Sequence, residues 1–326
     1  LDAKAMARTG RVHGAGRDGF PLTAGSLKLD AKSRRVWNHD RLLPLPPKEY
    51  EMLRFFLENP GRVYSREQLL ERPKIPLEVG ADNEAVFRAM ADEMVEEIQS
   101  RAALGRTCVF ICPVGPVGQY PFFVERVNRE NISLKHCWFI NMDEYLDGEK
   151  KWVPMSHPLS FRGFMEREVY SQIRPELNVP EGQRVFPDPE NLAYIPELIE
   201  KLGGVDVCFG GIGLNGHLAF NEADPSKSPE EFIALKTRVL PISPETRAAN
   251  AIGDFGGALE DMPSYCVTIG FHEIYHARKI RLGVFRNWHR GVVRRAAYGT
   301  PSAEFPVSLL QGREDVLIRM TGMVAE

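Results

Sequence analysis

No apolar run in this chain approaches the roughly 18 residues that a membrane helix needs, so nothing in it is expected to span a bilayer. Neither sign of charge dominates. Lys and Arg number 41 against 44 Asp and Glu, and the net charge of -3 gives no overall pull toward nucleic acid or an anionic membrane. Cysteine is scarce at five, an odd number with no close pair along the chain. That count argues against a disulfide framework and for a reduced, cytoplasmic setting. Cys108, Cys137, Cys208 and Cys266 sit in strand-like apolar runs, where a free thiol behaves as a small hydrophobe. The first twenty or so residues lack both periodicity and the apolar core of a signal peptide, and read as a mobile leader.

What is present is an ordinary globular mix over 326 residues, 43% hydrophobic and 26% charged, enough for one large or two medium domains. From Ser26 the run "LKLDAKSRRVWNHDRLLPL" reads as short strands around a turn at Asn38, His39 and Asp40. "PKEYEMLRFFLENPG" reads as a helix that follows Pro46 and Pro47, with Tyr50, Leu53, Phe56 and Leu57 as its apolar stripe and Asn59-Pro60-Gly61 as its stop. "SREQLLE" begins another, with Ser65 as cap and Gln68 three residues on. Residues 27–71 resemble the start of the winged-helix DNA-binding domain of OmpR-type response regulators. The resemblance ends before any recognition helix, so DNA binding is not expected, and the segment reads as an appendage or oligomerisation arm.

From Ala81 onward helices and strands alternate. "NEAVFRAMADEMVEEIQSR" puts Val86, Phe87, Met90, Met94, Val95 and Ile98 on one helical face. Strand-like runs follow at "TCVFIC", "HCWFINM", "VDVCFGG", "YCVTIG", "IRLGVF" and "DVLIRM". Near-continuous apolar strands separated by helices predict an α/β fold, a Rossmann-like, mostly parallel sheet covered on both faces, beside a small N-terminal α+β appendage. The expected division is residues 1–78 and 79–326. Ligands of such sheets bind at the carboxyl ends of strands, which draws attention to "PVGPVGQYP", "MDEYLDG" and "IGLNGHLAFNEAD". Together they offer Asp143, His217 and Glu222, a carboxylate, imidazole and carboxylate set suited to moving protons.

"FINMDEY" and "GGIGLNGHLAFNE" resemble the two main motifs of the glucosamine-6-phosphate deaminase/isomerase family. "HPLSFRGFMEREVY", "SPETRAAN", "PSYCVTIGFHEI" and "PVSLLQ" resemble its later landmarks, in order, over about residues 82–320. The resemblance implies aldose–ketose isomerisation of an amino-sugar phosphate with loss of ammonia, no metal or organic cofactor, and a homo-oligomer. It implies that Asp143 carries the C2 proton to C1, that His217 opens the pyranose ring, and that Glu222 orients and polarises that histidine. Asn215 stands where many members have aspartate; it can orient a ring but lends no charge. The glycines of the second motif let backbone approach a sugar without a Cβ clash.

The match weakens where the family holds phosphate. Pro113-Val114-Gly115-Pro116-Val117-Gly118 lacks both hydroxyls of the family's Pro-Thr-Gly-Gly-Thr-Pro loop, and Pro116 has no N–H. Ile252 stands in an arginine's place and His289 near a lysine's. Substrate recognition therefore reads as rebuilt, and an arginine at 252 is expected to tighten glucosamine 6-phosphate. The candidate substrate-binding residues are Gly115, Gly118, Arg162, Arg247, Arg286 and His289, with Arg290 as a further cation. Two other readings remain open at this point. One is a sugar-binding or regulatory homologue with altered catalysis. The other is a zinc hydrolase through "HEIYH" at 272–276, a His-Glu-x-x-His spacing that binds metal only on a longer helix with a third ligand.

Overall fold

The computed structural model describes residues 22–30, 33–58, 73–254 and 256–325. The chain forms two compact units that divide between Arg72 and Pro73.

In the first unit, β1 (Leu22–Ala24), β2 (Leu27–Asp30), β3 (Arg35–Asn38) and β4 (Arg41–Leu43) form an antiparallel meander, followed by α1 (Pro47–Glu58). The expected turn holds: His39 takes the left-handed conformation between β3 and β4, with φ of 54°. Tyr50 and Leu57 of α1 bury against Leu29 and Val36, with Leu53 partly buried beside them, while Phe56 is only half-buried. The helix expected from "SREQLLE" and the leader lie outside the described residues.

The second unit runs β5 (Leu77–Gly80), α2 (Asn83–Ala103), β6 (Cys108–Cys112), α3 (Gln119–Glu130), β7 (Cys137–Asn141), β8 (Asp143–Leu146) and α4 (Phe161–Glu168). It continues with β9 (Arg184–Val185), α5 (Tyr194–Lys201), β10 (Val207–Gly210), α6 (Pro229–Ile233), β11 (Arg238–Pro241) and α7 (Pro244–Asp254). The last elements are β12 (Tyr265–Thr268), α8 (Phe271–Tyr275), β13 (Lys279–Val284), α9 (His289–Tyr298), β14 (Val316–Thr321) and α10 (Gly322–Ala325). Seven strands form one sheet in the order β5-β14-β13-β10-β6-β7-β9, every neighbouring pair parallel.

Alternation along each strand explains why both sheet faces are covered. Val109 and Ile111 of β6 point into one apolar core, while Cys108, Phe110 and Cys112 point into the other. In the second core Phe110 meets Phe209 edge-on at 5.3 Å and Phe139 at 5.7 Å. Each such fully buried ring stabilises by about 1.5–3 kcal/mol. The helix α2 is capped by Asp82, whose carboxylate accepts from the Ala85 N–H at 2.8 Å. Its Val86, Met90, Met94, Val95 and Ile98 are buried as the spacing predicts. All five cysteines are free and buried.

One strand departs from expectation. The "YCVTIG" run is not part of the parallel sheet; β12 is the middle strand of a separate antiparallel sheet, in the order β11-β12-β8. A short apolar run suits any doubly covered strand, so its pattern does not choose between sheets. This small sheet carries Asp143 out from the end of β7, with Asp143 paired to Thr268.

Candidate functional site

A cavity of about 580 Å³ opens where β6, β7, β10 and β13 of the parallel sheet end. Its wall takes in the loop after β6, Asp143 and Tyr145 of β8, the loop after β10, Thr246 and Asn250 of α7, and Phe285, Arg286, Trp288 and His289.

Strand alternation divides the "MDEY" segment between two jobs. Asp143 and Tyr145, two apart, face the cavity, and Glu144 faces away. The fully buried Glu144 carboxylate accepts from the N–H groups of Phe161 and Arg162 at 3.0 and 2.9 Å and from the Ser160 hydroxyl at 3.0 Å. It thus binds the N-terminus of α4, where the helix dipole favours an anion. Arg162 is absorbed into this arrangement. Its Nε donates to Glu144 at 3.2 Å, its Nη2 donates to the Val153 carbonyl, and its guanidinium stacks on Trp152. It does not line the cavity.

Asp143 is buried. Burial, and then the neighbouring Glu144 charge, push its carboxyl well above the usual carboxylate range.

The loop after β10 is folded around His217. Its Nδ1 lies 2.7 Å from Asn215 Oδ1, 3.4 Å from Glu222 Oε2 and 3.5 Å from Thr246 Oγ1. Three oxygens converge on one ring nitrogen, which assigns the proton to Nδ1 and leaves Nε2 as the acceptor. Asn215 Nδ2 in turn donates to Glu222 Oε2 at 2.6 Å. Burial raises the Glu222 pKa, but the His217 contact and the hydrogen bonds from Asn215 and Thr246 outweigh it and lower it to about 2. Its other oxygen, Oε1, is buried with no hydrogen-bond partner among the described residues.

Two glycines make this loop possible. A Cβ on Gly213 would lie 2.0 Å from the His217 ring, and Gly216 has φ of +81° with the Phe305 ring against it. Asn221, fully buried, anchors the far end by donating to the Leu218 and Ile269 carbonyls and accepting from Arg238. Phe220 N–H donates to Thr268 Oγ1, which ties the His217 loop to the strand paired with Asp143.

The expected substrate contacts fall out differently from one another. Gly115 lines the cavity with φ of +133° and open space where a Cβ would be. Gly118 begins α3, and its missing Cβ makes room for the Phe87 ring, which would be 2.3 Å away. Phe87 itself was expected among the core residues of α2; it is half-buried and forms cavity wall instead. Arg247 lies off the cavity and donates to the Leu259 and Met262 carbonyls at 3.2 and 2.9 Å.

His289 lines the cavity but is no cation. Its Nδ1 accepts from the N–H groups of Phe285 and Arg286, and its Nε2 faces the Ile212 carbonyl at 3.1 Å. Burial first, then the Arg286 charge, lower its pKa to about 4 against the backbone hydrogen bonds. Arg290 donates to the Met323 carbonyl. Ile252 is 78% exposed on α7 and does not line the cavity. Arg286 is therefore the one permanent cation among the described lining residues.

The His-Glu-x-x-His run does not build a metal centre. Only its first four residues lie in the five-residue α8, His276 caps the helix end, and Glu273 is spent accepting from the Gly270 N–H at 2.6 Å. His276 Nδ1 sits 2.8 Å from the His272 carbonyl, with the two rings tilted by 38° at 4.3 Å. Among the described residues no group of three or more ligating side chains gathers to hold a metal. Thr246 and Tyr145, by contrast, join the site without having been singled out in the sequence. Thr246 could have been found from its place in the first turn of α7, inside the "SPETRAAN" run already marked.

A family model described as "Transcriptional regulatory protein, C terminal" matches residues 40–74, in agreement with the winged-helix resemblance of the N-terminal segment. A glucosamine-6-phosphate deaminase from Exiguobacterium sp. is 30% identical over 211 residues, 64% of this chain and 76% of the relative. One from Clostridium botulinum is 29% identical over 237 residues, 71% of this chain and 90% of the relative. Among solved structures, a monomeric glucosamine-6-phosphate deaminase matches with a TM-score of 0.67 at 24% identity, over 77% of this chain and 99% of its own. A 6-phosphogluconolactonase from Trypanosoma cruzi matches with a TM-score of 0.56 at 16% identity, over 78% and 96%. At such identities the two structural likenesses speak for the fold.

Proposed function

This chain belongs to the glucosamine-6-phosphate deaminase family, and on that footing we propose that it opens the ring of an amino-sugar phosphate, isomerises it and releases ammonia, leaving the ketose phosphate. Glucosamine 6-phosphate or a close analogue is the substrate of this reading. The observation that carries it is one cavity lined by buried Asp143 and by His217, whose Nδ1 is fixed by Asn215, Glu222 and Thr246.

Those groups suffice for the proton steps. Nε2 of His217 takes the proton of the C1 hydroxyl and returns it to the ring oxygen, so the bond from C1 to the ring oxygen breaks as the C1 carbonyl forms. The ionised Glu222 stabilises the imidazolium between the two transfers. Asp143 then removes the C2 proton and delivers it to C1 through an enolamine. The nitrogen lone pair closes an iminium at C2, water adds there, and ammonia leaves. Asp143 must be ionised at the start, against the effect of burial. The substrate's own ammonium at C2 is a charge that favours that ionised form, and it releases one proton to water before the nitrogen lone pair closes the iminium.

Self-association and a cytoplasmic setting belong to the same reading. Among the described residues no helix is long and apolar enough to cross a membrane. One solved deaminase is described as monomeric, so sedimentation of this protein decides its own assembly. The activity is tested by following ammonia and fructose 6-phosphate from glucosamine 6-phosphate, with Asp143→Asn as control. Turnover that survives in that variant overturns the assignment of Asp143.

A further inference from the structure

Asp143 is the base of the proposed reaction, and the residue next to it is held far more firmly than a structural carboxylate needs. The Glu144 side chain has no exposure and takes five donors. Its Oε1 accepts from the Tyr145 N–H at 2.9 Å and from the Phe161 N–H at 3.0 Å. Its Oε2 accepts from the Ser160 hydroxyl, the Arg162 N–H and Arg162 Nε at 3.0, 2.9 and 3.2 Å. Every partner donates, which suits a charged carboxylate and not a carboxylic acid.

These contacts join Asp143 to the cavity wall. Leu159, Ser160 and Phe161 belong to that wall, so Glu144 fastens β8 to it one residue along from Asp143. Arg162 lies outside the cavity, with 18% of its side chain exposed and its guanidinium 4.3 Å from the centre of the Trp152 ring. Burial, and then the Glu144 charge, raise the pKa of Asp143, with no opposing cation among the described residues. The other groups near it are Tyr145 on the same strand, Thr268 and the Cys266 thiol on β12, and His217 with Glu222 behind it. Arg238 of β11 is turned to Asn221.

We propose that Glu144 and Arg162 are positioning residues for the proton transfer at C2: the buried carboxylate pins Asp143 to the cavity wall and imposes its charge on it, while the guanidinium decides how much of that charge Asp143 feels. This rests on the reading of Asp143 as the base. A like charge nearby makes a carboxylate a stronger base and a less readily ionised one. The guanidinium tempers that charge from outside the cavity, so the strength of the base is set by a residue the substrate does not meet.

The test follows the acid limb of kcat/KM for ammonia release in wild type, Glu144→Gln and Arg162→Gln. It also titrates Asp143 in each by carbon NMR of protein labelled at its aspartates, the Asp143 signal being the one that Asp143→Asn removes. Glu144→Gln should move both midpoints down by about one pH unit, and Arg162→Gln should move both up by about half a unit. Loosened packing alone would not give opposite signs. Arg162→Gln leaves four of the five donors on Glu144 and is expected to fold, so it decides the matter should Glu144→Gln not fold. An Asp143 midpoint that stays put or falls in Arg162→Gln overturns the proposal, as does one that stays put or rises in a folded Glu144→Gln. NMR midpoints that move as stated while the kinetic limb stays fixed would instead overturn Asp143 as the base and leave the charge relation standing.

Discussion

Asn215 donates to Glu222 Oε2 at 2.6 Å, and so holds in place the carboxylate that also faces His217. With its Oδ1 on His217 Nδ1, the one amide fixes both partners and does so without adding charge. Many relatives in the resemblance carry aspartate there, yet in this chain a second carboxylate at that distance would face Glu222 directly. Two such groups cannot both ionise comfortably, and one pKa rises. Asn215→Asp is therefore expected to lose about 2 kcal/mol of stability at pH 7, the scale of a hydrogen bond to a charged group. Because a raised carboxylate pKa costs stability only above the unfolded value, part of the loss should return near pH 5. Equal melting temperatures for variant and wild type at pH 7 would refute the contact.

Glu222 provides the opposite sign. Its folded pKa of about 2 lies below the ordinary glutamate value of about 4.5. The stabilisation, on the order of 3 kcal/mol, is present above pH 4.5 and is lost as pH falls toward 2. Glu222→Gln should flatten that acid limb in thermal melts. It should also lower kcat by a factor of about 10²–10⁴, the usual range for a general acid–base element. An unchanged kcat would remove Glu222 from the ring-opening step.

His289 gives a third slope. Its pKa of about 4 is below the ordinary histidine value of about 6.5, so between them the unfolded chain binds a proton that the folded one does not. Stability from this residue is complete above pH 6.5 and falls as pH drops toward 4. His289→Gln should weaken that dependence. His289→Lys buries an ammonium beside two backbone N–H groups and the Arg286 charge, with only the Ile212 carbonyl to accept from it, and should cost stability by about 3 kcal/mol or more. A lysine variant that is stable and binds glucosamine 6-phosphate more tightly would return this position to substrate recognition.

The parallel sheet and the meeting of Asp143 and His217 at one cavity were legible because each rests on a local pattern. Apolar runs such as "CVFIC" alternate between two cores, and His217 needs Gly213 beneath its ring, so both leave marks in neighbouring letters. The destinations of the arginines were not legible. Arg162 and Arg247 are claimed by Glu144 and by the carbonyls of Leu259 and Met262, partners set by tertiary folding. Phe87 shares the period of the α2 core stripe, and only its place at the helix start puts it against Gly118 in the cavity. The same ambiguity misplaced β12, whose short apolar run fits either sheet.

Ile252 is exposed on α7, next to the Gly253 on which Arg286 packs. An arginine there would bring a second guanidinium to the same side of the cavity. Ile252→Arg is expected to lower KM for glucosamine 6-phosphate about tenfold, as one charge-assisted hydrogen bond of about 1.5 kcal/mol would. Because the residue is remote from the proton steps, kcat should stay within about twofold. Steady-state kinetics at two salt concentrations would check it. A KM that does not move places the phosphate elsewhere than beside Arg286.

Asp143 is where function and stability oppose each other most directly. Burial and the Glu144 charge raise its folded pKa well above 3.8, so between those two values the folded state holds a proton that the unfolded state has released. Stability from this residue is therefore greatest at low pH and falls as pH rises through that window. Asp143→Asn keeps the shape, removes the ionisation and should melt higher than wild type at pH 8. In the proposed reaction the same change deletes the base that moves the C2 proton, so ammonia release should disappear. In wild type the acid limb of kcat/KM should sit well above the pH of an ordinary aspartate, because the free enzyme must lose this proton before it can react. A variant that is both inactive and less stable at pH 8 would mean that Asp143 is held ionised by contacts, and the raised pKa would be the part of the account to abandon.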